Sequence, residues 1–245
     1  PEFLLTHPIT SSRVSDAFNA ADQIEFTGGK KNTINFEFIK GRLKARYNSL
    51  SPQAAVRYFK KLYEDIPSNE NKYAYISALQ SNGQTDQALN TMNEMLKKFP
   101  KNLILNTTKS EILLSGQRLS DAQKNIEQVL NISPGNYPAS IMKAKILSSK
   151  KQFIKAEEIL RDLLISKNRD PGLWMQLSEV QRAGKNIVGY HLSRGEYYTL
   201  IGDFDNALNQ FQFALSLSGN SFQTSETIMT KIKFAKERLG RRRGF

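Results

Sequence analysis

The sequence predicts an all-α fold: a right-handed tetratricopeptide superhelix, with one odd helix inserted late and a capping helix at the C-terminal end. Three observations point there. Ala54, Ala88, Ala122 and Ala156 recur every 34 residues, the period of a helix-turn-helix repeat whose two helices cross closely at a small side chain. Apolar residues follow at offsets of four and seven, as Met92 and Met95, Ile126 and Val129, and Leu160 and Leu163, marking one buried helical face. Pro100 and Pro134 then close two of the second helices, because proline cannot continue a helical ladder.

Taken in order, the chain opens with Pro1-Glu2-Phe3, without an initiator methionine, and is expected to follow removed or missing residues. An amphipathic helix with Val14, Ala17, Phe18, Ala21 and Ile24 comes next, and Gly28-Gly29-Lys30 reads as a linker. The expected division is residues 1–29 as junction and helix, 30–240 as solenoid and 241–245 as a basic tail. The first unit is degenerate: Ala54, Tyr58 and Pro67 keep the frame while Lys61 replaces an apolar residue, as terminal units tend to do. Gly83 and Gly116 fall between paired helices, where a turn with positive φ is expected.

Beyond residue 170 the frame slips. Gly195, Tyr198, Gly202, Ala207, Phe211 and Ala214 form the best later match, and Ala207 lies 51 residues after Ala156, one and a half periods. Helices are expected over 171–183, 187–200 and 203–218, so one helix is supernumerary. A last helix carries Ile228, Ile232, Ala235 and Leu239 on one face and is expected to stop at Gly240, leaving Arg241, Arg242 and Arg243 disordered.

Composition excludes several classes. The 245 residues hold 39% apolar residues, with room for about seven repeat-sized units and no apolar run of bilayer-spanning length. Cysteine is absent, which removes disulfides and thiolate metal sites and leaves periplasm and cytosol both open. The only histidines are His7 and His191, too far apart in the chain to form a catalytic zinc pair on one helix, and neither H-E-x-x-H nor G-x-S-x-G occurs. The net charge of +12 suggests an anionic partner, but Lys40, Arg42, Lys44 and Arg46 are two apart and split between two helical faces. A solvated basic surface is favoured over a nucleic-acid footprint.

One segment is more specific. Phe3-Leu4-Leu5-Thr6-His7-Pro8, then Ser12-Arg13, resembles the junction of BepA-type (YfgC-type) bacterial zinc metallopeptidases, where it joins an HExxH protease domain to a C-terminal repeat domain. The late stretch Gly195-Glu196-Tyr197-Tyr198-Thr199-Leu200-Ile201-Gly202-Asp203 looks like that C-terminal half as well. The resemblance implies that the protease precedes Pro1, that this fragment holds no cofactor and does not hydrolyse anything by itself, and that zinc belongs to the parent protease domain. It also makes His7 an additional, autoinhibitory zinc ligand in the full-length protein, closing the open coordination position that water would use. Without the resemblance His7 reads as an exposed loop residue.

Arg42 matches the arginine of an alanine-arginine pair in the family's first repeat helix, with Gly41 in place of the alanine. It is a candidate for facing the groove and pairing with an acidic group of the protease domain or a client, weighed evenly against a solvated residue. Tyr198 is a second candidate contact among aromatics that otherwise read as packing, and His191 reads as a helix residue with a satisfied ring nitrogen.

The leading expectation is a periplasmic protein-interaction module that docks the protease domain in cis and recruits outer-membrane protein clients and their assembly machinery. A stand-alone repeat scaffold and, more weakly, a basic RNA-binding repeat are the alternatives.

Overall fold

The structure is a computed structural model and describes residues 11–23, 33–219 and 222–243. His7 and Gly28-Gly29-Lys30 lie outside the described residues. Among the described residues the secondary structure is helical throughout. α1 (Ser11–Asp22) is followed by α2 (Ile34–Arg46) and α3 (Pro52–Asp65), then by the pairs α4 (Asn69–Ser81) with α5 (Thr85–Lys98), α6 (Leu103–Ser115) with α7 (Leu119–Ile132), and α8 (Tyr137–Ser149) with α9 (Phe153–Ser166). α10 (Pro171–Ala183), α11 (Ile187–Leu200), α12 (Phe204–Leu217) and α13 (Phe222–Arg243) complete the stack. No helix among the described residues is long and apolar enough to cross a membrane.

The buried alanines do what their spacing requires. Ala88, Ala122 and Ala156 are fully buried near the starts of α5, α7 and α9, and Ala207 is fully buried in α12. Two further features repeat at the same interval. Ser68, Asn102, Asn136 and Asp170 each stand just before a helix and accept hydrogen bonds from its first free N–H groups, at 2.8 to 3.2 Å. Gly83, Gln117, Lys151 and Lys185 each take the left-handed conformation in the three-residue turn of a helix pair, with φ of 72°, 59°, 59° and 62°.

Positive φ was expected at Gly116, and there the structure differs. The left-handed residue of that turn is Gln117. Gly116 is required for space instead, since a Cβ on it would stand 2.4 Å from Thr85 Cγ2.

The late frame slip has a definite form. Helix onsets keep their spacing, with Phe153 opening α9 and Ile187 opening α11, 34 residues apart. What shifts by one helix is the residue signature. α11 is joined to α10 by the turn containing Lys185 and to α12 by an equally short turn containing left-handed Gly202. It packs on both neighbours, so it is the second helix of one hairpin and the first helix of the next. Gly195 makes the second role possible, because a Cβ there would stand 2.2 Å from the Phe211 ring. α13 covers the end through buried Ile228 and Ala235, and its backbone continues past Gly240 to Arg243, contrary to the expected stop. One glycine costs a helix about 1 kcal/mol, which does not by itself end one.

α2 departs from a regular first helix. It packs chiefly on α4, where Gly41 and Ala45 meet Glu70, Ala74 and Ala78. Phe38, fully buried, stacks on Tyr73 at 5.6 Å and meets Phe99 edge-on at 5.7 Å. The helix therefore lies across the first units and reaches α6.

Candidate functional site

The alternate residues of α2 divide as helical geometry demands. Lys40 and Lys44, four apart, both reach Glu70 of α4, with Lys40 at 3.1 Å. Burial would raise the Glu70 pKa, but the hydrogen bonds from Lys44 and Lys40 prevail and hold it below the usual carboxylate range. Arg42 points elsewhere. Its Nη2 reaches both carboxylate oxygens of Glu111 on α6, at 3.1 and 2.9 Å.

That pair stands on a buried polar base. Tyr73 of α4 and Thr108 of α6 share a hydrogen bond of 2.6 Å between their hydroxyls. Burial works to lower the Arg42 pKa, yet Glu111 and the Tyr73 hydroxyl outweigh it and the net shift is upward. Burial pushes the Tyr73 phenol up, partly opposed by its bond to Thr108. The guanidinium and the phenol thus stay in their ordinary charge states at any physiological pH.

Arg42 and Thr108 separate two cavities. One, about 520 Å³, lies along α2, α4 and α6 and is bordered by Arg46, Ser77, Gln80, Glu111 and Ser115. The other, about 370 Å³, opens between α2, α6 and α8 and is walled by Ile39, Leu43, Leu103, Ile104 and Pro138. Ile39 and Leu43 are 43% and 48% exposed, so their apolar surface is available to a partner. A trough of mixed polarity beside an apolar one, joined at a fixed cation, suits an amphipathic helix or a loop carrying one acidic and one apolar anchor.

Tyr198 lies in a different place. It packs beside the Ala207, Phe211, Ala214 and Ile228 cluster, and its hydroxyl accepts a hydrogen bond from Arg194 Nη2 at 2.7 Å. Arg194 also lies over the Tyr197 and Tyr198 rings, 5.6 and 4.9 Å from their centroids. The structure does not bring Tyr198 and Arg42 into one site. His191 forms a 2.9 Å hydrogen bond between Nδ1 and Gln210 Oε1 and rests between Tyr190 and Phe213. Trp174 donates Nε1–H to the Asn168 carbonyl at 2.7 Å.

Glu111 is the residue that sequence reasoning missed. It sits on no repeat position and 69 residues from its partner, so only the folded path of α2 connects them. Lys40 and Lys44 with Glu70 carried a readable signal in their spacing of four.

The tetratricopeptide-repeat family profile matches residues 113–178, from the end of α6 into α10. Among curated proteins, the chain is 25% identical over 218 residues to the beta-barrel assembly-enhancing protease of Escherichia coli (strain K12), covering 88% of this chain and 44% of that protein. It is 28% identical over 150 residues to the protein of the same name from Yersinia pestis, covering 56% of this chain and 30% of that one. The chain thus spans less than half the length of the curated relatives it matches. A tetratricopeptide repeat protein from Parabacteroides merdae ATCC 43184 superposes with a TM-score of 0.50 at 16% identity, over 92% of this chain and 90% of that one. A human IFIT1 dimer with m7Gppp-AAAA superposes at 0.51 and 16% identity, over 95% and 55%. At that identity the two structures show the fold alone. Fold, matched repeat and helical neighbours together establish a tetratricopeptide repeat domain, a scaffold for protein interaction.

Proposed function

We propose that this chain is the interaction module of a periplasmic zinc metallopeptidase, docking the protease domain in cis and recruiting outer-membrane protein clients and their assembly machinery. The observation that carries this reading is the pair of cavities divided by Arg42, one of mixed polarity and one apolar, on α2, α4, α6 and α8. The likeness over 218 residues to the beta-barrel assembly-enhancing protease supports the choice of parent. In this reading Arg42 orders the groove floor, Ile39 and Leu43 contact the docked domain or client, and Tyr198 marks a second contact region toward the far end. Zinc belongs to the preceding domain, and His7, in the junction, is its inhibitory ligand.

The test uses the full-length protein. Photo-crosslinking residues at Ile39 and Leu43 are expected to trap the protease domain, and Ile39→Asp is expected to abolish that product. His7→Ala is expected to raise proteolysis at equal zinc content. A full-length gene product without an HExxH helix would overturn the reading in favour of a stand-alone scaffold. So would crosslinks confined to helices away from α2, α6 and α8.

A further inference from the structure

A second cleft, about 350 Å³, lies away from the Arg42 groove, between α5 and α7 with α6 as its floor. Leu89 and Leu113, both nearly buried, form its base, and polar side chains form its walls. Some of these are already committed. Arg118 is held by Asp121 at 3.0 Å and lies 3.9 Å from Asp86, so two carboxylates share one guanidinium and that end of the cleft stays acidic. Asn125 donates inward to the Asn106 carbonyl at 2.7 Å and to Ser110 Oγ at 2.8 Å.

Five others are free. Lys109, Lys124, Asn90, Asn93 and Gln128 line the cleft, and their side chains make no hydrogen bond or ion pair with any described residue. Three are amides, each offering a donor and an acceptor, the complement of a peptide unit's C=O and N–H. Two are ammonium groups, which seek carboxylates. The register separates the two chemistries. Asp86, Arg118 and Asp121 sit at the starts of α5 and α7, whereas Lys109 and Lys124 stand further along, beyond the acidic end.

We infer that this cleft binds an acidic peptide segment, with Asn90, Asn93 and Gln128 bonding its main chain and Lys109 and Lys124 pairing with its carboxylates. The apolar base accepts one small aliphatic side chain, and the acidic end excludes a carboxylate there and so fixes the peptide's placement. The site is independent of the Arg42 groove and does not rest on the proposed protease partnership.

Fluorescence anisotropy of the whole chain with fluorescein-labelled Glu-Leu-Asp-Glu-Leu-Asp is the test, with the Lys-for-acid analogue as control. The acidic peptide is expected to bind and the basic analogue not to. A Lys109→Ala/Lys124→Ala variant is expected to lose affinity about tenfold or more, the scale of two charge-assisted contacts. Asn93→Ala is expected to lose about threefold, a loss that persists at high salt because it is not electrostatic. Unaltered affinity in the double-lysine variant, with helicity retained by circular dichroism, would overturn the site. Equal binding of a single-stranded oligonucleotide, lost in the same variant and insensitive to Asn93→Ala, would overturn the peptide assignment and leave an unselective polyanion patch. Failure of the acidic peptide to bind at all would overturn it outright.

Discussion

Gly41 passes so close to Glu70 that a Cβ at position 41 would stand 2.3 Å from the Glu70 carbonyl oxygen. The obstacle is main chain, within the α4 helix, and cannot swing aside. Glycine at this position lets α2 rest directly on the α4 backbone. Gly41→Ala is therefore expected to lower stability by about 1–3 kcal/mol, as overpacking does, despite alanine's better helix propensity. Urea unfolding gives the change, and an unchanged or raised midpoint would refute the close crossing.

The left-handed turn residues make the opposite prediction. Gln117, Lys151 and Lys185 hold φ near 60° with side chains that disfavour it, where Gly83 does so freely. Relief of left-handed strain gives about 1–2 kcal/mol, and the extra freedom of glycine in the unfolded chain takes back about 0.5–1. Each of Gln117→Gly, Lys151→Gly and Lys185→Gly is expected to stabilise by about 0.5 kcal/mol, read as a rise in denaturation midpoint with an unchanged slope.

Arg42 and Glu111 tie α2 to α6 across α4. Their side chains are 37% and 30% exposed, so solvent screens the pair. Arg42→Ala and Glu111→Gln are each expected to cost about 1 kcal/mol, and a double-mutant cycle to show coupling of about 0.5–1 kcal/mol. Additive losses would mean that the two side chains act separately.

These three cases show what the sequence makes legible. The alanine period, the apolar offsets and the late helices are local patterns, and they predict helix positions to within a residue or so: 171–183 and 187–200 agree with α10 and α11. The repeated caps at Ser68, Asn102, Asn136 and Asp170 carry the same 34-residue signal. The Arg42–Glu111 pair and the α5–α7 cleft were not readable, because each depends on the angle at which whole helices stack, which no local spacing encodes. Gly116 was read for the wrong property, since both conformational freedom and absence of volume are written as the same letter.

Tyr137 offers a pH signature. Its hydroxyl donates to Asp170, the residue that caps α10. Burial and that carboxylate push its pKa up to about 12 from 10, and the same bond holds Asp170 low. A raised folded pKa means that the Tyr137 contribution is complete below pH about 10 and is lost as the pH rises toward about 12. Asp170 has the reverse sign: its contribution is present above its unfolded pKa, about 3.9, and is lost as the pH falls through its lower folded value. Tyr137→Phe is expected to lower stability at neutral pH by about 1.5–3 kcal/mol, the loss of one hydrogen bond to a charged group, and to flatten the decline between pH 10 and 12. Stability curves of wild type and variant that stay parallel through that range would disprove the link.

The double duty of α11 bears on how such a chain can change length over generations. Upstream of it, each 34-residue block begins and ends in the same register, so whole blocks can be duplicated or deleted and the remaining surfaces still meet. At α11 that cut is lost, because this helix is already half of both neighbouring hairpins. Growth is confined to one end and closure to the other, and the number of units can drift while the terminus stays as it is.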